Sequence, residues 1–275
     1  MADNMFVKTL HHEWAVAVLS WRTNLRAALE NRIAFGLQVF GMMINDSAFV
    51  AVWAIFFTTF GTVNGWDVWD SVGLLGFGTI TFGLAFAFFG GAPWINKYVA
   101  DASFDGILLS PNTVLWRVLT SKTDVAALGD AVFGLILLVL YAVKIQATPE
   151  MIGMMFLAII PGAAITVAMS ILSQLPAFFL LDGDSIAMSL YKSFLSPSLY
   201  PSALYSDAAR IFYTVVIPSI LVGGIPVEIV RSQNWLFLLG LWIAALVWVA
   251  IAILAFYTCL KKYESGNAIG LRSAN

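Results

Sequence analysis

From Trp235 to Leu260 the chain reads WLFLLGLWIAALVWVAIAILAFYTCL, without a single charged residue. A helix of that length reaches across the ~30 Å hydrocarbon core of a bilayer. A soluble fold has no core large enough to bury all sides of such a helix, so this run restricts the chain to the membrane. Similar runs recur. Charged residues make up only 11% of the chain, against about 25% in an ordinary globular protein. The pattern predicts an all-α, polytopic membrane protein with six transmembrane helices, at 34–60, 72–92, 122–143, 151–178, 208–225 and 235–260. With no internal repeat or low-complexity linker, residues 1–275 form a single transmembrane domain.

Loop charge orients the spans. With a cytoplasmic N-terminus, the inner segments hold Lys8, Arg22, Arg26, Arg32, Lys97, Arg117, Lys122, Lys192, Arg210, Lys261, Lys262 and Arg272. Of the 14 basic residues only Lys144 and Arg231 fall outside. Basic residues concentrate on the cytoplasmic side of membrane proteins, so both termini are expected there. The first 32 residues lack an unbroken apolar core, so no cleavable leader is read and the first span serves as an uncleaved signal.

Within residues 6–30, Val7, Leu10, Trp14, Val18, Trp21, Leu25 and Leu29 recur every three or four positions, and most charges fall elsewhere. That spacing predicts an amphipathic helix lying in the membrane interface. On the assumed topology residues 181–206 are cytoplasmic. There Ile186, Leu190 and Phe194 share a helical stripe, and Pro197 and Pro201 stop the helix.

Several chemistries are excluded by absent residues. The only histidines, His11 and His12, lie in the amphipathic segment, so no span offers a Ser–His pair or a His-ligated metal. No Gly-Lys pair occurs, so no phosphate-binding P-loop can be built. The lone Cys259 gives neither a disulfide framework nor a thiolate metal site. A net charge of −2 gives no basic tail for nucleic acid. Asp182-Gly-Asp184 and Gly129-Asp130 fall near predicted span ends and read as turns or caps.

The polar residues inside spans are the candidates for function. Asn45-Asp46 sits near the middle of the first span, where an ionised Asp costs about 2.5–3.5 kcal/mol. That cost is offset if the pair lines a wet substrate pathway, or equally if it bonds a neighbouring helix. Pro161, Pro176, Pro218 and Pro226 interrupt spans four and five. Pro218 and the Gly223-Gly224-Ile225-Pro226 stretch break the fifth span near the outer surface. Residues 226–234 then form a re-entrant or interfacial turn, in which Glu228 and Arg231, three apart, pair. Asn45, Asp46, Pro218 and Glu228 are the candidate pathway residues.

An ordered set of short elements carries a resemblance. It consists of Gly65-Trp66 with Asp70, FDGILLSPN at 104–112, LYPSALYSDAARIFYTVVIPSILVGGIPVEIV at 199–230, and KKYESGN at 261–267. Together they resemble permease subunits of type-2 ABC exporters, in the branch with paired permease genes beside an ATPase gene. The chain departs from that pattern at Ser103-Phe104-Asp105-Gly106 and at Pro226-Val227. The resemblance implies the type-2 exporter permease fold, with an elbow helix at 6–30, six spans over 34–260, a cytoplasmic coupling helix at 94–109 and a re-entrant element before span six. It also implies a prokaryotic plasma membrane, two ATPase subunits, and a second permease chain, identical or paralogous. ATP and Mg would be bound by the ATPase; this chain would hold no cofactor and catalyse nothing.

In that light the polar stretch WINKYVADASFDGILLSPN at 94–112 reads as the coupling segment. Trp94 with Tyr98, and Phe104 with Leu108, are i,i+4 pairs on a short helix. Asp105-Gly106 suits a turn, and Ser110-Pro111 caps the next helix. Trp94, Tyr98, Asp101, Phe104, Asp105, Gly106, Leu108 and Leu109 are the residues expected to enter a groove of the ATPase. The alternatives are an ATP-independent transporter or channel with Asp46 or Glu228 as proton carrier, and an assembly factor without transport.

Overall fold

The computed structural model describes residues 2–101, 103–109, 113–180 and 183–263, with backbone only for 2–10. Ser110-Pro111, Asp182, Arg272 and the end of the KKYESGN element lie outside the described residues. Twelve α-helices account for the described chain. They are α1 (Ala2–Glu30), α2 (Arg32–Phe60), α3 (Val68–Phe89), α4 (Ile95–Ala100), α5 (Phe104–Leu108), α6 (Val114–Leu119), α7 (Val125–Lys144), α8 (Pro149–Gln174), α9 (Gly183–Ser198), α10 (Asp207–Ile211), α11 (Gly224–Ser232) and α12 (Trp235–Leu260). Five of them, α2, α3, α7, α8 with its 3₁₀ extension to Phe178, and α12, are long and apolar enough to cross a membrane.

Local chemistry sets the ends of these helices. Asn31 accepts from the Ala34 amide and starts α2, and Gly61, with φ +69°, ends it. The turn to α3 exchanges two backbone bonds of 3.0 Å between Val63 and Trp66. Asn64 (φ 48°) and Gly65 (φ 79°) occupy its central positions, the backbone that favours Asn-Gly. Asp67 and Asp70 then form a reciprocal capping box on α3. Asp124, Thr148 and Asn234 cap α7, α8 and α12, with Pro149 at the first position of α8, where its missing N–H costs nothing.

The central element is α3, buried over most of its length and packed against α2, α7, α8 and α11. It meets α7 at backbone distance. A Cβ on Gly83 would lie 2.3 Å from the Ala131 nitrogen, and one on Gly134 would lie 2.4 Å from the Ile80 nitrogen. Gly129 plays the same part where α7 crosses α2, with its missing Cβ 2.4 Å from the Val39 carbonyl oxygen. Lipid tails are as apolar as leucine, so helices in a bilayer gain by close packing, which small residues permit.

The bundle has two distinct ends. One carries Lys97, Lys122, Arg117 and Lys261 and is called the basic end below. The other carries the Gly61–Asp67 turn, Lys144, α10 and α11. Between them the fifth crossing differs from the sequence reading. Residues 208–225 form no continuous helix. α10 gives way to a π-helical turn at Phe212–Val216, and the chain folds back at Pro218 into α11. The fold-back is deep in the protein, with Ile220, Leu221 and Val222 buried and Gly223 against the Leu74 carbonyl oxygen. Irregular backbone at that depth is tolerated where protein surrounds it.

It is α9, in the stretch 181–206 expected to be cytoplasmic, that runs from end to end. Near its start Asp184 accepts a hydrogen bond from Asn96 at the basic end. Just past its far end the Leu199 carbonyl accepts from Trp53 Nε1 at 3.0 Å, Tyr200 packs edge-on to the Trp53 ring, and the Ala203 carbonyl accepts from Asn64. Pro197 does not stop the helix before Ser198, because a proline in the last turn displaces a single hydrogen bond. The buried stripe of α9 is Ala187, Tyr191, Phe194 and Ser198 rather than Ile186, Leu190 and Phe194. Lys192 therefore lies along a helix that runs between the two ends, and Arg210 joins Lys144 and Arg231 at the end opposite the basic one.

Candidate functional site

At the basic end the stretch 92–109 folds as a 3₁₀ turn, α4 and α5, two short helices in place of one continuous coupling helix. Its anchor is Phe104. This side chain is fully buried against Phe178, Phe256 and Tyr263, so it is a core residue and not a contact surface. Tyr98 shares a hydrogen bond of 2.9 Å with Ser121. Asp105 accepts from the Tyr263 hydroxyl at 3.0 Å, which ties α5 to the segment after α12. Burial and that bond raise the Tyr263 hydroxyl to about 12. What the segment presents outward is Trp94, Asp101, Gly106, Leu108 and Leu109, the last with 88% of its surface exposed. The Lys122 ammonium sits 3.2 Å above the Trp94 ring centroid, a cation–π contact. Partial burial, and then the neighbouring Lys97, push Lys122 below the ordinary lysine range.

α1 is fastened to the same end. Glu13 is buried and its carboxylate accepts from the amide and hydroxyl of Thr113, while its carbonyl accepts from Trp116 Nε1 at 3.0 Å. Trp21 Nε1 donates to the Phe88 carbonyl at 2.6 Å, and Asn24 to that of Ser121 at 3.2 Å. The helix thus grips α6 and the end of α3 with polar groups, a pairing that apolar periodicity could not reveal. Beside it an apolar cleft of about 720 Å³ lies between α3, α8 and α12, walled by residues such as Leu84, Ala164, Val167 and Ala252. Walls this apolar exclude water and accept hydrocarbon.

The candidate pathway residues separate into three places. Asn45 is exposed on α2. Asp46 is buried and turns into α7, where its carboxyl faces that of Asp130. Asp130, read from sequence as a turn or cap, lies inside α7 and supplies this partner. Pro218 is buried in the fold-back. Glu228, half-buried on α11, does not pair with Arg231. It accepts from Arg210 and from Ser202, while Arg231 reaches across to Asp70 at 3.0 Å and to the Gly65 carbonyl at 2.9 Å. A separation of three on a helix permits contact, but each partner found a better-placed group on another element.

These two ion pairs clamp α11 to α10 on one side and to α3 on the other. Asp70 is almost buried, and without Arg231 its carboxylate loses its ion-pair partner and keeps the Asp67 amide bond. Arg231→Gln should therefore loosen α11. The arginine is 42% exposed, which tempers the loss to about 1–2 kcal/mol. Amide hydrogen exchange over Gly224–Ser232 should speed up about tenfold. Unchanged exchange there would show that apolar packing alone holds the helix.

A family model described as ABC-2 family transporter protein matches residues 43–267. No curated protein and no solved structure matches the chain.

Proposed function

The chain belongs to the ABC-2 family of transporter proteins, and from that premise we propose that it is the permease subunit of an ATP-driven exporter, coupled at its basic end to a separate ATPase. It is a multi-pass membrane permease without a nucleotide-binding P-loop, so hydrolysis takes place on a partner chain. The observation that carries the coupling is the segment 94–109. Its short helices are anchored by buried Phe104 while Leu108, Leu109, Gly106 and Asp101 project outward. An apolar knob rimmed by an acidic residue, held on a rigid base, suits a groove in a cytosolic partner.

The remaining assembly follows from this reading. The basic end faces the cytosol with both termini, consistent with the positive-inside rule. α9 serves as the fifth of six crossings, and α10 and α11 form a re-entrant pair from the opposite side. α1 is the interfacial elbow, connecting the membrane surface through Glu13 to α6, which follows the coupling segment. Two ATPase subunits, carrying ATP and Mg, drive a pair of permeases, identical or paralogous, between two packings with different contacts to the ATPase. The ion-coupled alternative is weakened at Glu228, whose carboxylate is engaged by Arg210.

Co-expression with the ATPase subunit that the resemblance implies tests the proposal. An affinity-tagged permease should retain that ATPase through detergent purification, in equal numbers, and hydrolysis should fall when the permease is omitted. A permease that purifies alone and transports without ATP would overturn it.

A further inference from the structure

α9 has two unlike faces. Ala187, Tyr191, Phe194 and Ser198 are covered by the bundle or nearly so, whereas Ser185, Ser189, Lys192, Ser193 and Ser196 are exposed along the opposite side. Ser185, Ser189, Lys192 and Ser196 follow at spacings of four, three and four, and Ser193 lies four beyond Ser189, which places these five on one stripe of a helix. Ring contacts fix their depth. Tyr191 meets Phe86 at 6.2 Å and Phe194 meets Phe82 at 5.9 Å between ring centroids, so Lys192 lies beside the interior of α3 and not beyond its end. The Ser189 and Ser193 hydroxyls donate to the carbonyls one turn back, both at 2.9 Å, and their oxygen lone pairs face outward. Among the described residues no carboxylate lies within 4 Å of the Lys192 ammonium.

A stripe of this kind is costly to leave against acyl chains, since a lysine costs up to about 2.5–3.5 kcal/mol at the hydrocarbon centre and less toward either end. The exposed face of α12 shows what this protein offers to lipid, namely Leu236, Leu239, Leu246 and Leu254. We propose that the serine–lysine face of α9 lines a water-filled part of the transport pathway, with Lys192 receiving the anionic group of an amphipathic cargo, a carboxylate, sulfonate or phosphate. The proposal rests on the permease reading and adds a substrate class to it. The hydroxyls supply neutral hydrogen bonds along the path and the ammonium supplies a positive charge. Covering by a partner chain and snorkelling of Lys192 to the basic end are the competing explanations, and each has its own outcome below.

Single substitutions Ser189→Cys, Ser193→Cys and Ser196→Cys are made in a Cys259→Ala chain, purified with any ATPase that accompanies it. The protein is placed in nanodiscs of phosphatidylcholine only, so that no anionic headgroup competes for Lys192. Reaction with small methanethiosulfonates, one a sulfonate and one a quaternary ammonium, is timed and normalised to a free thiol in solution. All three positions should react, and Leu246→Cys on the lipid face of α12 should not. At Ser189→Cys and Ser193→Cys the sulfonate should be favoured by at least about fivefold. Adding Lys192→Gln should bring that preference to about one, and Lys192→Arg should restore it. Unreactive thiols at all three positions would mean that protein or lipid covers the face. A reactive Ser189→Cys with inert Ser193→Cys and Ser196→Cys would place Lys192 at the interface. A preference unmoved by Lys192→Gln would remove the anion site; each of these results overturns the proposal. The exporter reading fails by a different sign, loss of ATPase retention, which leaves these labelling rates as they are.

Discussion

Gly106→Trp and Leu109→Glu should each leave the chain folded in the membrane while stripping it of its ATPase. Neither position supports the fold. A Cβ on Gly106 meets nothing within 4 Å, and Leu109 stands almost wholly in solvent. A partner groove, by contrast, would feel both changes, one as bulk at the bend and the other as a buried charge in place of an apolar knob. Interface hot spots cost 2 kcal/mol or more, about thirtyfold in affinity. The retained ATPase should therefore drop to a small fraction, transport should stop, and thermal unfolding of the permease should stay where it is. Phe104→Ala supplies the contrast. Emptying that buried site costs about 3–5 kcal/mol, so it should lower the unfolding temperature as well as the coupling. Asp105→Lys breaks the bond to Tyr263 and belongs with the structural class. Full retention of ATPase and transport by both Gly106→Trp and Leu109→Glu would reduce the segment to an ordinary loop.

The second large effect lies in the α3–α7 seam. Gly83→Ala sets a methyl 2.3 Å from the Ala131 nitrogen, and Gly134→Ala sets one 2.4 Å from that of Ile80. The obstacle is backbone in each case, so no rotamer change relieves it and the two helices must separate. Overpacking costs typically 1–3 kcal/mol, and here the shift spreads along an interface that buries the central helix, so about 3 kcal/mol or more is expected. The amount of monodisperse protein extracted in mild detergent should collapse for both variants. Gly78→Ala, on the same helix α3, meets nothing within 4 Å and should be neutral or stabilising by up to about 1 kcal/mol, since Ala loses less backbone freedom than Gly on folding. Equal yields for Gly78→Ala and Gly83→Ala would refute the close-packed seam.

Much of the architecture was legible in the residues themselves. Helices α2, α3, α7, α8 and α12 follow the expected spans to within four residues, because lipid solvation acts on each stretch separately and a long apolar run has no other home. Asp67 with Asp70, the Asn64-Gly65 turn and Pro149 also act within a few residues of themselves. The lack of a P-loop, of a histidine within the spans and of a second cysteine bounded the chemistry, and the ordered motifs pointed to the family that the match over residues 43–267 shows.

Tertiary structure decided what depends on neighbours far along the chain. Hydropathy sums a segment's cost of meeting lipid, so it selected 208–225 and passed over α9. Yet 208–225 is broken at Pro218 and its second half is buried in the protein, while α9, with Ser185, Ser189, Lys192, Ser193 and Ser196 among its exposed residues, runs between the two ends. Spacing suggested that Glu228 pairs with Arg231, but Arg210 and Asp70, 18 and 161 residues away along the chain, took the two partners. Aromatic residues in a polar stretch suggested a contact surface, but rings from the extension of α8, from α12 and from the segment after α12 enclose Phe104. Asp46 read as a lone carboxyl until α7 brought Asp130 to it. In each case the sequence determined which groups are costly to leave alone in a bilayer, and only the packed helices determined which group relieves that cost.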